Sequence, residues 1–220
     1  MRRGRESTAR DELAARIFFC HTEATHQPLA KCRMSLKKAE IVDWLLLALL
    51  VAVVYSTLGA ARRIFDAISR AGLEAAMARG IVLALAALAV AALVWLVAVA
   101  RVRRGRDYLA LAALGGAYAL VLLTLSEMPV ERIHLLEYGA VGVLAHRALR
   151  HRFAGVERAI LAVLIAFNVG LGDEMIQGWL PRRFYDTKDI TVNGLAGLLG
   201  VLVAALLARA RTERKNESIR

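Results

Sequence analysis

The chain has 220 residues, 58% of them apolar and only 22% charged, with formal net charge +11 and mean hydropathy +0.50. Soluble domains hold roughly 45–50% apolar residues and scatter them in short stripes, whereas here they gather in uncharged blocks of about twenty residues, the length that crosses a hydrocarbon core. Disorder, a collagen-like or disulfide scaffold and a soluble globular enzyme are thereby excluded, and the expected fold is an all-α polytopic transmembrane helical bundle of about six helices.

In chain order, residues 1–40 form a polar, mixed-charge cytoplasmic leader, within which Met34-Ser35-Leu36-Lys37-Lys38 reads as an alternative native start. Cys20 and Cys32 lie here with only His21 and His26 nearby, too loose a grouping for a zinc site. Neither metal nor cofactor is expected. The first apolar block, Ile41–Ala61, is interrupted by Asp43. It exceeds the roughly 7–15 apolar residues of a signal peptide and lacks a crisp A-x-A site, so an uncleaved helix is favoured over a cleaved signal.

Between Arg62 and Arg79, Ile64, Phe65, Ile68, Gly72, Ala75 and Ala76 recur at helical spacing among Arg62, Arg63, Asp66, Arg70 and Glu74. That pattern suits a helix lying in the interface plane, with a solvated connector as the alternative. Further blocks follow at Gly80–Ala100, Tyr108–Ser126, Val130–Arg150, Glu157–Gln177 and Ile190–Ala208. The transmembrane domain thus spans 41–208, and 209–220 is a basic cytoplasmic tail.

A basic chain can bind nucleic acid, but aromatics are only 6% and the arginines sit beside the apolar blocks. Flanking arginine is what orients helices in a bilayer. The bilayer is the expected partner and nucleic acid is not. On alternate sides of the membrane, one set of connections holds the leader, Arg101–Arg106, the Arg147–Arg158 group and the tail. The other holds Arg62–Arg79, Glu127–Glu137 and Asp173–Asp189, where acids nearly match bases. The positive-inside rule places both termini in the cytoplasm of a multi-pass inner-membrane protein, with the four arginines of Arg62–Arg79 as an awkward minority.

The residues that cost most in a membrane concentrate on the other side. Glu127, Glu131, His134 and Tyr138 fall at steps of four, three and four, with Glu137 adjoining. Asp173, Glu174 and Gln177 close the fifth span, a Trp179-Leu180-Pro181-Arg182-Arg183 turn leads to Asp186, and Asp189, Asn193, Gly197 and Gly200 form a stripe on the sixth. Intramembrane charges usually face the bundle interior in pairs, and the planar fork of Arg182 or Arg183 suits Asp173, Glu174 or Asp186. Gly194, Gly197 and Gly200 offer close helix packing. Each feature has a plainer reading: solvated loop acids, a structural histidine, packing glycines and Trp179 as an interface anchor. Their convergence from three helices favours one outward-facing polar pocket formed by Glu131, His134, Glu137, Tyr138, Asp173, Glu174, Gln177, Arg182, Arg183, Asp186, Asp189 and Asn193.

The ordered set Glu131-Arg132-x-His134-x-x-x-Tyr138, Asp173-Glu174-x-x-Gln177, Pro181-x-Arg183, Asp186, Asp189, Asn193, Gly194 and Gly197 resembles the VanZ-like membrane proteins. The likeness covers about residues 127–200. It departs in the charged pair, here Glu131-Arg132 where the family commonly has Asp-Lys slightly upstream. The founding member is associated with resistance to teicoplanin, so the resemblance implies an envelope role: recognising or modifying an envelope lipid, a lipid-linked wall precursor or a lipoglycopeptide. No catalytic residues are assigned. An intramembrane acid/base or metal-dependent enzyme remains the alternative, drawing on Asp173, Glu174, Glu137 and His134, though H-E-x-x-H and nucleophile-elbow motifs are absent. A transporter is less supported, since no internal repeat is evident and Asn168 is the only polar residue deep in its helix.

Overall fold

A computed structural model describes residues 29–99, 104–125, 129–180 and 187–217. Six helices account for nearly all of them: α1 (Leu29–Arg70), α2 (Glu74–Val94, continued by a π-helical turn Trp95–Val99), α3 (Gly105–Thr124), α4 (Pro129–Leu149), α5 (Gly155–Trp179) and α6 (Thr187–Glu217). Five of them, α1, α2, α3, α5 and α6, contain stretches long and apolar enough to cross a membrane. The protein is a multi-pass membrane helical bundle.

The sixth helix, α4, is 21 residues long, about 32 Å at ~1.5 Å per residue, and matches a bilayer core in length. It carries Glu131, Arg132, Glu137 and Arg147 and so fails a test of apolarity alone. Such a helix is tolerable only where other helices shield it from lipid. The fold obeys this: α4 packs against each of the other five helices. Leu135, Tyr138, Val141 and Ala145 on it are fully buried, while α2 and α3 expose leucines and valines to the lipid side.

Pairwise contacts fix the directions of the helices. Glu40 meets Arg152 and Asp43 meets Arg147, so α1 and α4 are antiparallel. Tyr118 reaches Ala196, and Arg106 reaches Glu213, so α3 and α6 are antiparallel. Between α4 and α6 the order is the same on both: His134 faces Asn193, and Gly142 faces Gly197 and Val201. The two run parallel with α5 antiparallel to both. Both described ends of the chain therefore lie at one end of the bundle.

Close approach of α4 and α6 depends on glycine. A Cβ at Gly142 would collide with the Gly197 carbonyl, and one at Gly200 with the Gly139 carbonyl. At Gly197 it would sit 2.7 Å from the Ala166 Cβ of α5. These backbones can touch only because the side chains are missing. Gly194 is different, since its nearest neighbour is the ring of Phe167, a side chain that can move.

One expectation changes. There is no separate in-plane helix over Arg62–Arg79. Instead α1 continues to Arg70, and the turn comes at Gly72, whose φ of 67° favours glycine. The Gly72 amide donates to the Ser69 carbonyl at 2.9 Å and the Leu73 amide to the Ile68 carbonyl at 3.0 Å, the paired bonds of a Schellman stop. The apolar periodicity was therefore that of a helix extending past the bilayer. Asn168, the polar residue deep in α5, is exposed, and its amide donates to the Leu164 carbonyl one turn back. The first apolar block is an integral bundle helix, with Leu47, Val54 and Leu58 buried.

The end that carries both described chain ends is held by ion pairs. Asp43, 1% exposed, takes Arg147 Nε at 2.7 Å on one oxygen and Arg150 and His151 at 2.9 and 2.8 Å on the other. Glu213 gathers Arg104, Arg106 and Arg209 at 2.9–3.1 Å. The Asp43 cluster should be asymmetric when broken, because its arginines reach solvent and its carboxylate does not. The double change Arg147→Ala, Arg150→Ala strands a buried charge and should cost about 3–5 kcal/mol. Asp43→Asn should cost less in the same thermal unfolding assay in detergent. Packing gives a second test. Gly200→Leu should destabilise by about 1–3 kcal/mol or more, whereas Gly115→Leu, which meets no neighbour within 4 Å, should stay within about 0.5 kcal/mol of the parent. Equal losses at the two glycines would contradict the α4–α6 contact.

Candidate functional site

Opposite the arginine clusters, α4, α5 and α6 bring polar side chains together in the bundle interior. On α5, Asp173, Glu174 and Gln177 share one face because they are three and four residues apart. Gly170, a turn earlier, makes room for α6: a Cβ there would lie 2.8 Å from that of Asn193. On α4, His134 and Tyr138 point the same way, their rings 5.8 Å apart between centroids.

These groups form a connected network. The Tyr138 hydroxyl donates to Asp173 Oδ2 at 2.5 Å, and Gln177 Nε2 donates to Asp173 Oδ1 at 2.9 Å and to Glu174 Oε1 at 3.4 Å. His134 Nδ1 lies 2.7 Å from Asn193 Oδ1. An amide oxygen can only accept, so His134 donates from Nδ1. Tyr138, Asp173, Glu174 and Asn193 are fully buried and Gln177 nearly so. His134 and Glu137 are half-buried, and Glu137 interacts electrostatically with His134 and Asp173. The Asn193 Nδ2 is the one polar atom in this group, among those described, that is buried with no hydrogen-bond partner.

The structure thus gathers His134, Glu137, Tyr138, Asp173, Glu174, Gln177 and Asn193. Asp189 is half-buried one turn before Asn193, in the first turn of α6, where a carboxylate complements the helix dipole. Arg182, Arg183 and Asp186, and the side chain of Glu131, lie outside the described residues. Trp179 is 83% exposed at the end of α5, as an interface anchor requires.

Two features differ from the sequence reading. The expected open pocket is, among the described residues, a packed cluster. An apolar groove of about 770 Å³ lies elsewhere, on the α1–α5 seam beside Trp44, Tyr55, Phe153 and Asn168. Tyr55 was missed altogether. Its hydroxyl donates to the Val169 carbonyl at 2.8 Å and rests where a Cβ of Gly172 would be, so it walls the groove from the polar cluster. A tyrosine in an apolar run carries no spacing signal. Only the glycine at 172 hinted that something approached α5.

The donors to Asp173 are not equivalent to the bond made by Tyr55. Tyr138→Phe leaves a buried carboxylate oxygen short of a donor and should cost about 1–3 kcal/mol. Tyr55→Phe removes a second bond to an already helical carbonyl and should cost about 0.5–1.5 kcal/mol. Thermal unfolding of the two variants checks the order, and a costlier Tyr55→Phe would contradict the network.

Compared with known proteins, the chain matches no family model, no curated protein and no solved structure. What the fold establishes is a multi-pass membrane protein with a buried acid, amide, tyrosine and histidine cluster at one end of its bundle.

Proposed function

We propose that the chain is a VanZ-like protein of the cell envelope that recognises or modifies an envelope lipid, a lipid-linked wall precursor or a lipoglycopeptide. One observation carries this reading: a hydrogen-bonding cluster from α4, α5 and α6 lies at the bundle end opposite the arginine clusters on Asp43 and Glu213. Under the positive-inside rule the arginine end faces the cytoplasm, so the cluster lies toward the outer leaflet, where such ligands are found. The same residues carry the resemblance to the VanZ-like proteins. In this reading His134, Glu174, Gln177 and Asn193 supply hydrogen bonds to a polar head group, with Arg182, Arg183 and Asp186 forming the rim.

A second reading, an intramembrane enzyme acting on a lipid-linked substrate, is favoured by the two adjacent buried carboxylates beside a histidine. That inventory can move protons as general acid and base.

Cells expressing the protein should lose its effect on lipoglycopeptide susceptibility when Asp173→Asn and Glu174→Gln are combined, with membrane-inserted protein undiminished. Full retained effect would defeat the reading. Orientation is tested separately. Single cysteines at positions 129, 178 and 187, with Cys20 and Cys32 replaced, should react with an impermeant reagent on whole cells. Labelling only after permeabilisation would invert the topology.

A further inference from the structure

The polar cluster holds more than hydrogen-bond donors. A ring nitrogen of His134, one oxygen of Asp173 and one of Glu174 all lie within 4.8 Å of one another, with the two acids fully buried. We propose that these three residues bind a divalent cation of the zinc or manganese class, leaving at least one coordination position for water or an oxygen of the ligand. The proposal concerns the site on which the envelope reading rests, but it does not need that reading's ligand.

The chemistry of the donors selects the class. One imidazole with two carboxylates suits zinc, manganese or iron(II), and gives calcium or magnesium a nitrogen they do not favour. Bonds of about 2.0–2.2 Å to zinc let a single ion span ligand atoms at these separations after small side-chain rotations. The surroundings are those of a metal site as well. A ligating histidine generally fixes its tautomer by donating its other N–H to an oxygen, and ligating carboxylates are themselves hydrogen-bonded. With Nδ1 held by Asn193, the proposal assigns the cation to Nε2 of His134; Asp173 is held by Tyr138 and Gln177.

An independent observation points to a ligand in the same place. Asn193 has no exposure, its Oδ1 is committed to His134, and its Nδ2 has no acceptor. Leaving such a donor unmet is costly, because its desolvation is not repaid. Nδ2 shares its amide with the atom that meets His134, so the proposal takes an oxygen at the cation's open position as its acceptor. Water, phosphate or a carboxylate group are ligands of the required type, since each offers an oxygen lone pair.

The test uses the purified full-length protein in detergent, stripped with chelator, exposed to Zn²⁺ or Mn²⁺ alone, desalted and measured for bound metal. The wild type should retain about one ion per chain with one of the two metals. His134→Ala, and separately Glu174→Gln, should lower this at least tenfold, while Asn168→Ala on the lipid-facing side of α5 should not change it. Far-UV circular dichroism and gel filtration identify variants that fail to fold. If His134→Ala fails, His134→Gln provides the same comparison. Binding below one ion per ten wild-type chains would overturn the proposal, as would undiminished binding in folded His134 and Glu174 variants. A metal-free wild type whose effect on cells is still lost with Asp173→Asn, Glu174→Gln would overturn the cation site while leaving the envelope reading in place.

Discussion

A polar group inside a hydrocarbon layer must find a partner within the protein, because no water is there to supply one. That constraint governs this bundle through α4. The helix carries acids, two histidines and arginines over 21 residues, so it cannot face lipid, and every other helix is arranged around it. The lipid-facing helices can then be almost wholly apolar. Glycine at Gly142 and Gly200 lets α6 lie directly along it, and this contact brings Asn193 to His134.

The two ends of α4 solve the same problem in different ways. At one end the buried Asp43 is matched by arginines whose far ends reach solvent, an arrangement in which charge is neutralised and anchored at the membrane surface. At the other end the acids Asp173 and Glu174 are met, among the described contacts, by the neutral donors Tyr138 and Gln177. The first arrangement is that of a structural clasp. The second keeps acidic and histidine groups together in a buried, low-dielectric place where their interactions with a ligand are strong.

The spans were legible because uncharged blocks of bilayer length admit few alternatives, and α4 was recognisable despite its polarity because its polar residues fell at both ends of an apolar middle. The stripes His134–Tyr138, Asp173–Gln177 and Asn193–Gly197 followed from helical spacing, which places residues on a face. Spacing does not reveal which faces meet. The clasp of Asp43 with Arg147, Arg150 and His151 joins residues more than 100 positions apart, and Asp43 in isolation looked like a mere blemish in the first block. Gly139 and Gly142 were likewise invisible until α6 lay across them. Asn168 shows how a polar residue in an apolar helix can satisfy itself on its own backbone: its amide donates to the Leu164 carbonyl.

The central claim is that Tyr138 of α4 and Asp173 of α5 meet inside the bundle, since this contact ties the polar cluster together. A double-mutant cycle on Tyr138→Phe and Asp173→Asn, read by thermal unfolding in detergent, measures it most directly. The account predicts a coupling of about 0.5–3 kcal/mol between the two sites. Additivity of the two changes to within about 0.3–0.5 kcal/mol would contradict it.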